Sequence, residues 1–309
     1  MSVSAAQVKE LREKTGAGML DCKKALEEND GSIENAIDWL RTKGLAAAAK
    51  KAGRTAAEGL VALATEGNKG CIIELNAETD FVARNEQFQE LAGNIAQTAL
   101  ASGAQDIDAL KAASLENGSE SVEASITTAI STIGENMNLR RTTSLSVDGG
   151  VIASYIHNAA APNMGKIAVL VALKSDGDAA AVQAVGKQIA MHVAAAKPEA
   201  LTRDDVNADA LAREKEVLKE QAMASGKPAE IAEKMVEGRI RKYYEEIVLL
   251  DQVFVIDGKA KVSEFVAEQA SELGSSIEIT GYASFIVGEG VEKEEDDFAA
   301  EVAAAAGAA

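Results

Sequence analysis

The chain has few aromatic, proline and cysteine residues, and each shortage narrows the class of protein. Aromatics make up 4% of the 309 residues and there are 3 prolines, so Ala, Val, Ile and Leu must build helix-rich cores. Cys22 and Cys71 show no CxxC or Cys/His ligand spacing. This spacing argues against a zinc site or a disulfide framework and favours a reducing compartment. We expect two buried thiols and no metal.

Positive charge and long apolar runs are scarce as well. The net charge is -18 and the pI is about 4.6, which argues against direct nucleic-acid binding because phosphate contacts need clustered Lys and Arg. The N-terminus is charged by Lys9, and no uncharged apolar run approaches the ~18 residues that cross a bilayer. We therefore predict a cytoplasmic protein that binds another protein, with no nucleic-acid partner and no membrane.

Motifs typical of nucleotide-binding enzymes are missing. The GK pair at 165–166 lacks the upstream Gly of a phosphate loop, and GEG at 288–290 lacks the third Gly of a dinucleotide loop. His157 and His192 have no Ser or Cys motif beside them. We predict a protein that is not an enzyme. An enzyme that uses Cys22, His157 or His192 is the alternative to be tested.

Residues 4–54 show the periodicity of a small helical bundle. Ser4 is placed to cap a first helix, TGAG at 15–18 ends it, and two further helices follow, the second of them after NDGS at 29–32. The Ala- and Lys-rich stretch 45–59 has little to bury and predicts a helical or loose linker.

A weak internal repeat organises the middle of the chain. Residues 58–81 contain two β-branched runs around a Gly/Asn turn and lead into a helix, and residues 149–176 repeat this plan with a longer turn at 157–166 before a helix at 179–196. The repeat predicts two related α/β units, each a β-hairpin backed by helices. Additional helices of the first unit are predicted near 107–115 and 120–135.

The pattern becomes purely helical from 204 to 246. Within GKP at 226–228, the Gly is typical of the residue after a helix C-terminus and the Pro of the first turn of the next helix. This division predicts an antiparallel helical hairpin. Strand-like runs follow at 253–257 (VFVID) and 277–290, on either side of a helix at Val262–Leu273. We assign both runs to the second α/β unit because lone strands are marginally stable.

Phe81 lies in the short connection between a predicted strand at 71–75 and a helix that Asn85 is placed to cap. Two interpretations are open. Burying the ring against its own domain would stabilise the fold by roughly 2–3 kcal/mol. Alternatively, the ring is exposed and enters a partner. The exposure of Phe81 in the free protein distinguishes the two.

Met19 and Leu20 follow the TGAG turn, with Arg12 and Lys23 nearby. These residues predict either core packing or an apolar spot rimmed by cations that docks on a partner helix. Adjacent residues of a helix cannot both point fully inward, so the two interpretations can each hold in part.

Six stretches spread nearly end to end occur in the order of one known family: VKELREKTGAGMLDCKKAL (8–26), TDFVARNEQF (79–88), IGENMNLRR (133–141), IAMHVAAAKPEAL (189–201), SGKPAEIAEKMVEGR (225–239) and VGEGVEKEEDDFAAEV (287–302). On these stretches the chain resembles the bacterial translation elongation factor Ts family, the nucleotide exchange factors of the GTPase elongation factor Tu. The resemblance adds an expected fold and an expected set of contact residues.

The fold that the resemblance implies is α+β and helix-rich. It has a small three-helix ubiquitin-associated-like N-terminal domain, a core of two related α/β subdomains with antiparallel sheets, an inserted antiparallel coiled-coil hairpin and a C-terminal helix. The expected domains are residues 1–54 (ubiquitin-associated-like), 55–145 (core subdomain N), 146–200 with 247–288 (core subdomain C), 201–246 (helical hairpin) and 289–309 (C-terminal helical module).

The function that the resemblance implies is guanine nucleotide exchange in translation elongation. The family binds GDP-bound and nucleotide-free elongation factor Tu, disturbs its Mg²⁺ and phosphate site, promotes GDP release and is displaced when GTP binds. A non-catalytic scaffold or chaperone of the same GTPase is the alternative. The Mg²⁺ and the nucleotide belong to the partner, so no cofactor is implied, and self-association through the hairpin stays open.

The family's contact residues transfer to this chain by position. The resemblance assigns dislocation of the partner's magnesium to Thr79, Asp80, Phe81 and Val82, and partner binding to Arg12, Met19, Leu20, Lys23 and His157. Leu20 stands where many family members have a second Met, a volume-conserving difference. The predicted longer turn at 157–166 bears on the contact that His157 makes.

Overall fold

The computed structural model describes residues 3–104, 106–116, 118, 120–224 and 229–292. Within these residues the chain combines α-helices with an antiparallel sheet, which confirms the α+β, helix-rich class at that level. None of the helices among these residues is long and apolar enough to cross a membrane. The predicted domain boundaries stay predictions.

The N-terminal bundle consists of α1 (Ala5–Thr15), α2 (Met19–Glu28) and α3 (Ile33–Lys51). As predicted, Ser4 caps α1: its hydroxyl accepts the Gln7 N–H, while the Gln7 side chain accepts the Ser4 N–H at 3.0 Å. Leu11, Cys22 and Leu26 are fully buried between the helices. Because α3 continues to Lys51, the first part of the predicted linker, residues 45–51, is helical, and β1 begins at Glu58.

The sheet has six strands among the described residues: β1 Glu58–Glu66, β2 Lys69–Ala77, β3 Met137–Ser146, β4 Gly150–Ala161, β5 Met164–Lys174 and β6 Glu278–Ile286. The N arm consists of β3, β2 and β1, and the C arm consists of β4, β5 and β6. All pairs are antiparallel. A short ladder between β1 and β5 joins the arms through the pairs Val61–Gly165 and Ala62–Met164, and Leu63 N donates to Asn163 O at 2.9 Å beside it. The sheets expected in two subdomains are therefore the arms of one sheet.

Helices cover one face of each arm, and the opposite faces pack together. The N arm packs against α4 (Glu86–Ser102), α5 (Ile107–Ala112) and α6 (Val122–Ile133), and the C arm against α7 (Ala179–Ala196) and α10 (Val262–Leu273). Residues of both arms, including Val61, Ile72, Ile152 and Leu170, fill a third apolar cluster. A Cβ at Gly70 would approach Ile152 Cγ2 to 2.9 Å, so glycine permits this close packing.

A buried carboxylate connects the N arm to the end of β6. Glu74 in β2 is fully buried and accepts hydrogen bonds from Arg140 and Arg141 of β3. It also accepts the Gly288 N–H at 2.7 Å. Arg140 in turn donates to the Glu289 carbonyl at 2.6 Å. A buried charge is tolerated when it is paired and hydrogen-bonded in this way.

The helical hairpin is formed by α8 (Ala208–Ala224) and α9 (Ala229–Ile247). It is inserted where the chain leaves and re-enters the C arm: Leu249 N donates to Ala200 O at 2.8 Å, and Glu199 N donates to Ile247 O at 2.8 Å. The predicted turn at 226–228 and most of the predicted C-terminal helix, residues 293–309, lie outside the described residues.

Three local predictions differ from the structure. The run 253–257 is not a strand, because its backbone bonds close within a loop, with Phe254 N donating to Ala260 O at 2.8 Å, and only one isolated bridge forms. The strand β3 was not predicted, since its polar centre around Arg140 does not alternate with apolar residues. The turn predicted at 157–166 is short: β4 continues to Ala161, and Asn163, at φ 61°, turns the chain into β5.

Candidate functional site

The tip, defined as Thr79–Val82, connects β2 to α4. As predicted, Asn85 caps α4, its side chain accepting the Phe88 N–H at 3.2 Å. Phe81 is 76% exposed, whereas the two residues that follow it, Val82 and Ala83, are buried in the N-arm core. Of the two interpretations of Phe81, burial against its own domain is therefore wrong, and the ring faces solvent.

Two carboxylates hold the tip against the loop that leads from α6 to β3. Glu135 accepts the Thr79 N–H at 2.9 Å and the Thr79 hydroxyl at 2.7 Å. Glu78, immediately before the tip, accepts the Asn136 N–H at 2.5 Å and a hydrogen bond from Arg54 at 3.3 Å. We call Glu78, Thr79, Glu135 and Asn136 the reciprocal brace.

Asp80 contributes negative charge beside the exposed ring. Its carboxylate lies 3.4 Å from the guanidinium of Arg84 in an exposed pair. Exposed pairs of this kind contribute ~0–1 kcal/mol, so this pair is easily exchanged for another contact. The tip thus presents an apolar ring and an available acid on a fixed backbone.

Met19 and Leu20 form an apolar surface at the start of α2. They are 61% and 83% exposed, while Cys22 and Leu26 of the same helix point into the bundle core. Core packing of either side chain is therefore wrong. Arg12 and Lys23 are also exposed, and Lys23 pairs only at 3.7 Å with Glu27. The four predicted residues are accessible to a partner.

His157 lies within β4, opposite Ile167 of β5. Its ring is exposed, and Nδ1 is 3.0 Å from the Tyr155 hydroxyl. The structure therefore places the predicted residues in three separate regions: α1 and α2 of the bundle, the tip, and β4. Cavities of about 710 and 740 Å³ lie along the hairpin and beside β6, and among the described residues neither cavity is lined by any of the predicted ones.

Of the three side chains considered for catalysis, Cys22 and His192 are fully buried, whereas His157 is exposed. Both thiols are buried, as predicted, and burial raises the pKa of Cys71 to about 11 and raises that of Cys22. A thiol with a raised pKa is a poor nucleophile at neutral pH. Across the described ranges no group of three His, Cys, Asp or Glu side chains is placed to hold a metal ion.

His192 is likewise a structural residue. Its Nδ1 accepts the Val255 N–H at 3.2 Å, so its Nε2 donates to the Gln252 side-chain oxygen at 2.8 Å. Burial lowers the pKa of His192 below 6.5, which favours the neutral ring. Both ring nitrogens are occupied, and no substrate proton can reach them without breaking these bonds.

Sequence reasoning did not identify the reciprocal brace. Glu135 and Asn136 lie in the resembling stretch 133–141, but nothing in their spacing pointed to the tip, which is 56 residues away. The only local signal was a polar Gly-Glu-Asn turn between a helix and an unpredicted strand.

Exposed apolar side chains with charged neighbours, such as Phe81, Met19 and Leu20, are typical of surfaces that contact another protein. Comparisons with known proteins specify the family. The model of the family described as "Elongation factor TS" matches residues 78–289. The chain is 58% identical over 305 residues to elongation factor Ts of Sphingopyxis alaskensis, covering 99% of both chains.

Two further relatives extend this comparison. Elongation factor Ts of Paramagnetospirillum magneticum is 59% identical over 99% of this chain and 97% of its own. That of Rhodospirillum rubrum is 58% identical over 98% of each chain. The chain belongs to the elongation factor Ts family.

Proposed function

We propose that the chain is a cytoplasmic guanine nucleotide exchange factor for elongation factor Tu in translation elongation. Membership of the family implies the exchange activity. In this proposal the protein binds the GDP form, disturbs the Mg²⁺ and phosphate site, promotes GDP release and is displaced when GTP binds. The observation that supports this mechanism is the 76% exposure of Phe81, directly before the buried residues Val82 and Ala83.

The tip acts in this proposal as a wedge. Phe81 enters the partner near its magnesium site, with Thr79, Asp80 and Val82 beside it. Each tenfold acceleration of GDP release requires about 1.4 kcal/mol, so a thousandfold acceleration requires about 4 kcal/mol. Burial of one aromatic ring supplies roughly 2–3 kcal/mol before the cost of association. Other contacts must therefore supply the rest.

The remaining predicted residues fill this role. Met19 and Leu20 dock on the partner through their exposed side chains, and Arg12 and Lys23 steer the approach of an acidic surface. His157, exposed on β4, contacts a different part of the partner. Three separate surfaces suit a clamp that grips a larger protein at several points, with no bond made or broken and no direct nucleic-acid contact.

Displacement by nucleotide follows from thermodynamic linkage. If the wedge lowers the partner's affinity for nucleotide by a given factor, nucleotide lowers the partner's affinity for this protein by the same factor. The Mg²⁺ and the nucleotide remain ligands of the partner throughout. GTP entry then expels the exchange factor without any chemical step on this chain.

Stopped-flow release of fluorescent GDP from elongation factor Tu tests the proposal. The wild-type protein should accelerate release, and Phe81→Ala should lower the saturating rate by at least about tenfold, which corresponds to 1.4 kcal/mol. Leu20→Ala is the matched control. It should raise the concentration that gives half-maximal rate and leave the saturating rate unchanged, because Leu20 contributes docking alone.

Two results would contradict the proposal. The first is GDP release that the wild-type protein does not accelerate. The second is calorimetric binding to the partner with equal affinity in the presence and absence of GDP. Equal affinity would instead support the scaffold or chaperone alternative, since a binder indifferent to nucleotide cannot promote its release.

A further inference from the structure

Phe81 stays exposed because the backbone before it is anchored at two consecutive residues. Thr79 donates both its N–H and its hydroxyl to the Glu135 carboxylate. At the preceding residue the donor and acceptor roles of the two loops are exchanged: the Glu78 carboxylate accepts the N–H of Asn136. Each loop thus supplies a carboxylate to a backbone N–H of the other.

The segment between α3 and β1 closes this arrangement. Arg54 donates to the Glu78 carboxylate at 3.3 Å, and its carbonyl oxygen accepts from the Asn136 side chain at 2.7 Å. Asn136 is 8% exposed and Glu135 is half-buried. Hydrogen bonds from backbone and hydroxyl donors to carboxylates are stronger than neutral ones and are less exchanged with water when shielded.

Beyond Phe81 the backbone is fixed from the other side. Arg84 N donates to Phe81 O at 3.1 Å, and Asn85 N donates to Val82 O at 2.9 Å, forming the 3₁₀ turn Val82–Arg84. Only Asp80 and Phe81 lie between the two anchors. Binding orders flexible segments, and this ordering costs conformational entropy. The cost is smaller for an aromatic ring whose backbone is already fixed in the free protein, so more of the binding free energy is available to displace groups of the partner.

We propose that Glu135 is a positioning residue for nucleotide exchange: it holds Thr79 so that Phe81 projects from the tip in the orientation that enters the partner. This inference rests on the proposed function. Glu135 itself is not required to touch the nucleotide or the metal. Its effect is transmitted through the two bonds to Thr79.

The test compares Glu135→Ala with Glu90→Ala. Glu90 is exposed on α4 of the same arm, so the two variants remove the same charge. Glu135→Ala should lower the saturating rate of GDP release by about tenfold, equivalent to 1.4 kcal/mol, with the half-maximal concentration unchanged. Glu90→Ala should retain the wild-type rate. Thr79→Val removes the hydroxyl donor and keeps the backbone N–H donor, so its saturating rate should fall between those of wild type and Glu135→Ala.

Hydrogen exchange of the free protein supplies a readout that does not depend on the partner. The Thr79 amide should exchange faster in Glu135→Ala than in wild type, because its acceptor is gone. Unchanged Thr79 protection in Glu135→Ala would overturn the inference at this step. This measurement stands even if the proposed function fails, so the two failures are distinguishable.

The kinetic outcomes separate positioning from damage to the fold. Partial unfolding of Glu135→Ala would reduce the active concentration, raising the half-maximal concentration while leaving the saturating rate at the wild-type value. That pattern would overturn the inference. So would a full saturating rate in Glu135→Ala under conditions in which Phe81→Ala loses its rate. Absence of acceleration by the wild-type protein would overturn the proposed function instead.

Discussion

Two loops of this molecule each contain one phenylalanine, which is exposed to solvent in one loop and buried in the other. In the tip, Phe81 is 76% exposed while its neighbours Val82 and Ala83 are buried. In the loop 253–260, Phe254 is 1% exposed and stacks on Phe265 with ring centroids 4.1 Å apart. Its neighbours Val253 and Val255 are about half exposed, at 48% and 47%. The residue type alone therefore does not decide where the ring lies.

The backbone anchors explain the difference. In the tip, Glu135 binds the N–H of Thr79, two residues before the ring, and the chain then turns so that Val82 points inward. In the other loop, His192 accepts the N–H of Val255, directly after the ring, and Phe254 points toward α7 and α10. The tip is anchored by the half-buried side chain of Glu135 from the α6–β3 connection, and the other loop by the fully buried side chain of His192 from α7.

The largest expected effect compares the two rings directly. Phe254→Ala removes a fully buried ring and should lower the free energy of unfolding by about 3–5 kcal/mol. Phe81→Ala should change it by less than about 0.5 kcal/mol, because the ring is exposed. Urea unfolding followed by circular dichroism measures both. A large loss of stability in Phe81→Ala would mean that the ring packs on its own domain in solution and would break the comparison.

A second pair of variants extends the comparison to leucines of α2. Leu26 is fully buried in the bundle, whereas Leu20 is 83% exposed. Leu26→Ala should destabilise the N-terminal bundle by about 2–5 kcal/mol, and Leu20→Ala should leave its stability within about 0.5 kcal/mol. Hydrogen exchange of α1–α3 reports this local stability. Equal protection in the two variants would show that the α2 surface is not divided into a core side and an open side.

The smallest expected effect concerns the anchor of the Phe254 loop. Burial lowers the pKa of His192 below 6.5, so below that pH the unfolded chain takes up a proton that the folded chain excludes. The contribution of the neutral His192 ring to the free energy of unfolding is fully present above about pH 6.5. As the pH falls toward the folded-state pKa, this free energy decreases by up to about 1.4 kcal/mol per pH unit.

Unfolding midpoints between pH 7.5 and 5.5 test this expectation. His192→Gln should show a weaker decrease than wild type across this range, since the titrating ring is gone. His157→Gln, at an exposed position of β4, is the matched control. Parallel pH profiles for wild type and His192→Gln would contradict the role of His192 as a neutral anchor.

Local patterns in the sequence predicted much of the fold and the place of the tip. The caps at Ser4 and Asn85 and the two α8–α9 segments depend on neighbours within a few residues, and the structure has them where they were expected. The exposure of Phe81 was left open, because a turn position does not determine a side chain's direction.

Long-range pairing accounts for what was not predicted. The strand β3 is stabilised by its ladder with β2, and its polar residues reach Glu74 rather than a core. The run VFVID has strand propensity. It forms a loop because the Phe254 ring packs against the rings of Phe265 in α10 and His192 in α7. The reciprocal brace likewise joins residues 56 positions apart. Propensity within a short window contains no information about such partners.

The carboxylate of Glu74 has a consequence for the order in which the chain matures on the ribosome. Strands β1 to β3 and their helices lie within residues 58–146, so this half can assemble while later residues are still being translated. The Gly288 N–H that Glu74 accepts is 214 residues further along. Until Gly288 emerges, Arg140 and Arg141 balance the charge of Glu74, but the buried carboxylate lacks the hydrogen bond that the Gly288 N–H donates.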